Sequence, residues 1–111
     1  MNPPDLAAKY RAIAQEIRQD PSRWCQNHHA VCADGSSPPF SKDQLAVAWC
    51  AAGFTYRDDL PGVWLNLAVE QIGGFGYIRF NDTPGRKPEE VADLFDRAAA
   101  LVEAESKETT A

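Results

Sequence analysis

The chain has 111 residues, enough for one compact domain and too few for two. Its 44% hydrophobic content, with three Trp, five Phe and three Tyr, supplies a core of ordinary size. A formal net charge of −5 and scattered basic residues argue against a nucleic-acid binder that relies on phosphate attraction.

Pro3-Pro4-Asp5 opens the first predicted helix. Leu6, Tyr10, Ile13 and Ile17, with Ala7 and Ala14 beside them, form an apolar stripe, and Asp20-Pro21 stops it. Residues 22–40 are the least regular part: His28-His29-Ala30-Val31-Cys32 leads into Asp34-Gly35, a hairpin turn signal, and Ser36-Ser37-Pro38-Pro39 reads as loop. A short strand or hairpin is expected here. Ser41 and Gln44 make a capping box for a second helix, whose apolar face is Leu45, Ala48, Trp49 and Ala52 and whose end is Gly53. After a loop at Arg57–Gly62, Leu65, Ala68, Val69 and Ile72 restore helical spacing until Gly73-Gly74.

Phe75-Gly76-Tyr77-Ile78-Arg79-Phe80 alternates apolar with small or polar residues, as a short extended segment does. It runs into a polar turn, Asn81-Asp82-Thr83-Pro84-Gly85-Arg86. Pro88 suits the first position of a last helix, Glu89 and Glu90 suit its first turn, and Val91, Leu94, Phe95, Ala98, Leu101 and Val102 make its apolar face. Residues 106–111 are polar and expected to fray. The expected fold is mainly α, a single domain over 1–111 of about four helices with one or two short extended segments or a hairpin; an α+β arrangement is the alternative.

Three cysteines fit a reducing cytoplasm better than a disulfide scaffold. No secretory signal is read at Met1-Asn2-Pro3-Pro4-Asp5, and no stretch reaches the roughly 20 apolar residues of a membrane span. A cytoplasmic protein with no membrane association is therefore expected. Cys25, His28, His29 and Cys32 are zinc-type ligands, and Cys50 could join them. Four ligands within eight residues rarely wrap one ion, whereas structural zinc sites pair ligands over a dozen residues or more. The reading is that Cys25 and Cys32 pack as small hydrophobes, the histidines stay exposed, and the protein holds no metal or cofactor. Cys50, on what reads as a buried alanine-rich helix, is a poor nucleophile. Ser36-Ser37 has no hydrolase context, and Gly73-Gly74-Phe75-Gly76 lacks the lysine of a phosphate loop. No catalytic set emerges. Of the tryptophans, Trp49 is expected in the core, Trp24 beside a pocket and Trp64 partly exposed.

Three separated pieces, Trp24-x-Gln26, Trp49-Cys50-Ala51-Ala52-Gly53 and Phe80-Asn81-Asp82-x-x-Gly85-Arg86, resemble in order and spacing a family of small bacterial and phage proteins, domain-of-unknown-function family 6197. That family's pattern reads Trp-x-Gln-Gly, Cys-Ala-x-Gly-Ala and Trp-Asn-Asp-x-x-Gly-Arg-Thr. Here Asn27 stands for the glycine, Phe80 for the tryptophan and Lys87 for the threonine. The resemblance covers residues 6–104 and implies a bacterial or phage setting. The matching residues Trp24, Gln26, Cys50, Asn81, Asp82 and Arg86 either cluster around one pocket or determine the fold.

Two functional expectations follow. The first is a non-enzymatic binding protein, a phage or prophage accessory protein that inhibits a host defence system by binding a host or phage protein. The second is a small-molecule or nucleotide-binding domain or small enzyme with its pocket at those six residues, Asp82 acting as base or polar anchor and Arg86 as anion binder. A small zinc protein is a minor third.

Overall fold

A computed structural model describes residues 1–38 and 42–110 of the chain. Pro39, Phe40, Ser41 and Ala111 lie outside it, and with them the expected capping serine. Among the described residues there are five helices and a two-stranded antiparallel ribbon. They are α1 (Pro3–Gln19), α2 (Ala51–Arg57), α3 (Val63–Gln71), α4 (Tyr77–Asp82) and α5 (Pro88–Thr110). The strands are β1 (Ala30–Cys32) and β2 (Ala46–Trp49). One 3-10 turn, Pro21–Arg23, follows α1.

The long helices follow their sequence signals. The Asn2 side chain caps α1 by accepting from the Asp5 N–H at 2.9 Å, and two prolines occupy its first turn. Its stripe of Ala7, Tyr10, Ile13, Ala14 and Ile17 packs on α5, which contributes Val91, Leu94, Phe95, Ala98 and Val102. Arg18 of α1 fastens the same pair at the surface through Glu89 at 3.1 Å, Asp93 at 2.7 Å and Asp96 at 2.6 Å, all on α5. Helix α5 has no side-chain acceptor at Lys87, its entry residue. Instead Glu90 reaches back to the Lys87 N–H at 2.8 Å, and that hydrogen bond holds its carboxyl below the usual range.

Two segments depart from expectation. The helix expected from Ser41 to Gly53 is a strand, β2, followed by a helix that begins only at Ala51. Leu45 and Val47, read as helix residues, are 72% and 46% exposed, while Ala48 and Trp49 are buried. The segment is short enough that helical and alternating periods both fit it; pairing with β1 decides between them. The pairing sets Ala30 against Trp49 and Val31 against Ala48, with an irregularity before Cys32 opposite Ala46. The expected strand at Phe75–Phe80 is instead the helix α4. Its start is imposed from outside the segment: the Asn66 side chain on α3 accepts the Tyr77 N–H at 2.9 Å, and Tyr77 and Asn81 then turn inward one helical turn apart.

Around Trp49 a charged knot closes the other end of α1. Glu16 accepts from Arg23 at 2.7 Å and from both terminal nitrogens of Arg57 at 2.9 Å. The Arg57 guanidinium lies 4.5 Å from the Trp49 ring centroid and 4.9 Å from that of Phe54. Burial pushes the Glu16 carboxyl up, but its hydrogen bonds and charge pairing with Arg57 and Arg23 outweigh this and hold it below the ordinary range.

Gly53 shows how closely α2 approaches the chain before β1. A Cβ there would sit 1.7 Å from the His29 carbonyl oxygen. Gly53→Ala therefore forces backbone apart and is expected to cost about 3 kcal/mol, read as a lowered urea midpoint. An unchanged midpoint would show that the approach is not this close.

Candidate functional site

The motif residues meet at Asn81, which is fully buried at 0% exposure. Its Oδ1 accepts from the Trp24 indole N–H at 2.6 Å and from the Ala51 backbone N–H at 2.9 Å. Its Nδ2 donates to the Cys25 carbonyl at 3.1 Å and to Asp82 Oδ1 at 2.9 Å. One carboxamide thus joins the segment after the 3-10 turn, the start of α2 and the end of α4, with its hydrogen-bonding capacity filled.

The neighbours extend the clasp. Gln26 Nε2 donates to the carbonyls of Asn81 and Thr83, both at 2.9 Å, so it meets the C-terminal end of α4. Asp82 Oδ1 also accepts the Asn27 N–H at 2.8 Å. Asn27 has φ 69°, the left-handed region that glycine enters freely and asparagine tolerates. This is a physical reason for glycine or asparagine at that position. Cys50 is not within a helix, as its sequence context suggested. It precedes α2 as the capping residue, and its Sγ accepts the Gly53 N–H at 3.3 Å.

Arg86 stands at the edge of this group. Its Nε donates to the Phe80 carbonyl at 2.8 Å, one terminal nitrogen pairs with Glu90 at 3.1 Å, and the guanidinium stacks 3.7 Å from the Phe80 ring centroid. The aromatic at position 80 is thus the platform for the arginine. A surface cavity of about 240 Å³ beside them is lined by Ile72, Phe80, Arg86, Glu90, Asp93 and Arg97 among others. The structure therefore brings Trp24, Gln26, Asn81 and Asp82 into one network, sets Cys50 next to Ala51 at its rim, and places Arg86 on the far side of Phe80. Both polar atoms of the Asn81 side chain are satisfied within the network, by the Trp24 indole, the Ala51 N–H, the Cys25 carbonyl and Asp82.

The zinc-type residues take separate paths. Cys25 donates to the His28 carbonyl at 3.3 Å, the His29 ring meets Tyr56 edge-on at 5.0 Å, and Cys32 is half-buried on β1. Among the described residues no group of three or more His, Cys, Asp and Glu is arranged to hold a metal ion. His28 Nδ1 lies 3.0 Å from Ser37 Oγ, a pair the sequence did not suggest because nine positions of irregular chain separate them. Both residues are exposed, and no carboxylate orients the imidazole among the bonds described. Burial pushes the Cys25 thiol up to about 12, with the nearby charges of Cys50 and Asp82 adding to the shift. Burial also raises Cys50, only partly offset by the Gly53 N–H. Neither thiol is poised as a nucleophile.

The exposed apolar surface was not legible beforehand. Val63, Leu67, Ile72, Phe75 and Ile78 are 55%, 41%, 49%, 78% and 44% exposed, and all lie on α3, on α4 or on the corner between them. The one signal in the sequence was Phe75 set among Gly73, Gly74 and Gly76, where a large aromatic has little local chain to fold against.

The chain belongs to the family of unknown function DUF6197, whose profile matches residues 1–101. No curated protein matches it. No solved structure matches it either. No described helix is long and apolar enough to cross a membrane.

Asn81→Ala strands the Trp24 indole N–H, the Ala51 N–H and the Cys25 carbonyl, and is expected to lower stability by about 3 kcal/mol in urea unfolding. A loss below about 0.5 kcal/mol would show the network to be replaceable. Alkali tests the buried thiol. The folded-state value of Cys25 is raised from 9.0 to about 12, so the unfolded chain releases this proton first and stability falls as pH rises between those values. The urea midpoint is expected to be lower at about pH 10 than at about pH 8, and Cys25→Ala should reduce the difference. A midpoint independent of pH over that range would contradict the assignment.

Proposed function

We propose that the chain is a non-enzymatic binding protein acting through protein–protein contact, with the exposed apolar face of α3 and the corner into α4 as its contact surface. The observation that carries this reading is the concentration of Val63, Leu67, Ile72, Phe75 and Ile78 at the surface between positions 63 and 78. Burying one such side chain against a partner gains about 1.5–3 kcal/mol. The carboxamide of Asn81 and the Trp24 indole N–H are engaged in holding the fold, which leaves them nothing to offer a ligand. In the phage or prophage setting implied by the resemblance, the partner is a component of a host defence system and this protein its inhibitor. The cytoplasm is the matching compartment.

A second reading, a small-molecule or nucleotide pocket, draws on the cavity beside Arg86 and Phe80. It predicts a rise in melting temperature with nucleotides or anionic metabolites that Arg86→Ala removes.

The primary reading is tested by affinity capture of the tagged protein from its bacterial host, with mass spectrometry of the retained proteins. A Phe75→Asp, Ile78→Asp double variant is carried in parallel. The expected result is one near-stoichiometric partner, reduced at least tenfold in the variant while its melting temperature is unchanged. An empty eluate, or equal capture by the variant, contradicts the reading.

A further inference from the structure

The cavity of about 240 Å³ beside Phe80 is lined by four charged side chains, Arg86, Glu90, Asp93 and Arg97, together with the apolar Ile72, Phe80 and Leu94. Two of the four charges are spent on each other. Glu90 accepts from the Lys87 N–H with one oxygen and from Arg86 with the other, and Arg86 also donates to the Phe80 carbonyl. The other two are not. Asp93 and Arg97 stand four positions apart on α5, about 6 Å along its axis, yet among the described residues neither pairs with the other. Asp93 meets Arg18 through Oδ1 alone among the bonds described, and its side chain is 66% exposed. Arg97 pairs with no acid among the described residues; its bond is a long one, 3.4 Å, to the Gln71 side chain.

We infer that this cavity binds a free α-amino acid with an apolar side chain, its carboxylate on Arg97, its ammonium on Asp93 and its side chain against Ile72, Leu94 and Phe80. The inference rests on the small-molecule reading of the cavity and names the ligand class. Three features support it. Opposite charges one helical turn apart that do not pair with each other suit a ligand that carries both, and an arginine fork takes a carboxylate through two N–H groups. Two arginines on the walls balance two acids, so a zwitterion leaves the site neutral. A phosphate ester does not, and Glu89 and Asp96, gathered with Asp93 around Arg18, add negative charge against it. At about 240 Å³ the cavity is also smaller than the roughly 300–1,000 Å³ of sites for drug-sized ligands, which suits a body of amino-acid size better than a nucleotide.

The test is a nitrogen–proton correlation NMR titration of the full chain with L-leucine, L-methionine and L-phenylalanine. Saturable shifts of the Leu94 and Arg97 amides are expected with at least one of them. Three analogues dissect the leucine skeleton: isocaproate lacks the ammonium, isoamylamine lacks the carboxylate, and glycine lacks the apolar side chain. Each should bind at least about tenfold more weakly than the best amino acid. Arg97→Gln and Asp93→Asn, both at exposed positions, should each weaken that amino acid about tenfold with an unchanged melting temperature. Asp96→Asn disturbs the same Arg18 cluster without lining the cavity and should change binding less than twofold. Equal binding of isocaproate or isoamylamine overturns the inference, as does an effect of Asp96→Asn equal to that of Asp93→Asn, which would place the action at Arg18. An absence of saturable shifts with all three amino acids overturns it too. If a nucleotide or anionic metabolite then still raises the melting temperature in an Arg86-dependent way, the small-molecule reading stands without this ligand class; if none does, both fall.

Discussion

The buried carboxamide of Asn81 is the constraint on which the rest of the arrangement depends. The segment 24–27, the first turn of α2 and the end of α4 are individually too short or too irregular to hold their positions. Each leaves backbone groups that must be satisfied when buried. Asn81 serves the Trp24 side chain, the Ala51 N–H and the Cys25 carbonyl at once, and Gln26 returns the favour at the carbonyls of Asn81 and Thr83. With Trp24 fixed, Cys25 donates its N–H to Trp49 and extends the edge of β2. With Trp49 fixed, Arg57 and Arg23 have a ring to lie over and Glu16 has two guanidiniums to receive. The three sequence motifs are thus parts of one clasp that joins the segment 24–27, the start of α2 and the end of α4.

That clasp changes how the motif residues are to be understood. Residues of these types, brought together, invite reading as a pocket. Here the convergence is real for Trp24, Gln26, Asn81 and Asp82, but their bonds are spent on backbone and on one another. Phe80 and Arg86 form a separate stacked pair facing a shallow cavity between α4 and α5. Exposed apolar side chains follow one another through α3 and the corner into α4, at Val63, Leu67, Ile72, Phe75 and Ile78. On α3 itself Val63 and Leu67 are exposed, and Trp64 and Leu67 line a cavity against the last part of α5.

How much of this was legible follows from segment length and from the range of the deciding contacts. Helices α1, α3 and α5 were readable because each repeats its apolar period often enough, with start signals at Pro3-Pro4-Asp5 and Pro88 and a stop at Gly73-Gly74; the Asn2 cap was not read. The strand β2 was not, because Ala46 to Trp49 satisfies a helical and an alternating period equally and only the pairing with β1 separates them. Helix α4 was not, because the acceptor that starts it, Asn66, lies eleven positions upstream of Tyr77. The motif residues were legible as a set but not in their roles: nothing local says that Asn81 is buried or that Asn27 takes a left-handed backbone. The exposed Phe75 could only be recognised once its neighbours were known to leave it uncovered.

Native-state hydrogen exchange of the Trp24 indole N–H and the Ala51 amide, followed by nuclear magnetic resonance, tests the clasp most directly. Both protons end on Asn81 Oδ1. If that oxygen holds the fold, they exchange only through global unfolding, with a free energy equal to that from urea. Exchange through a local opening of much lower free energy, or release of either proton on addition of a small-molecule ligand, would instead make the cluster an open binding site.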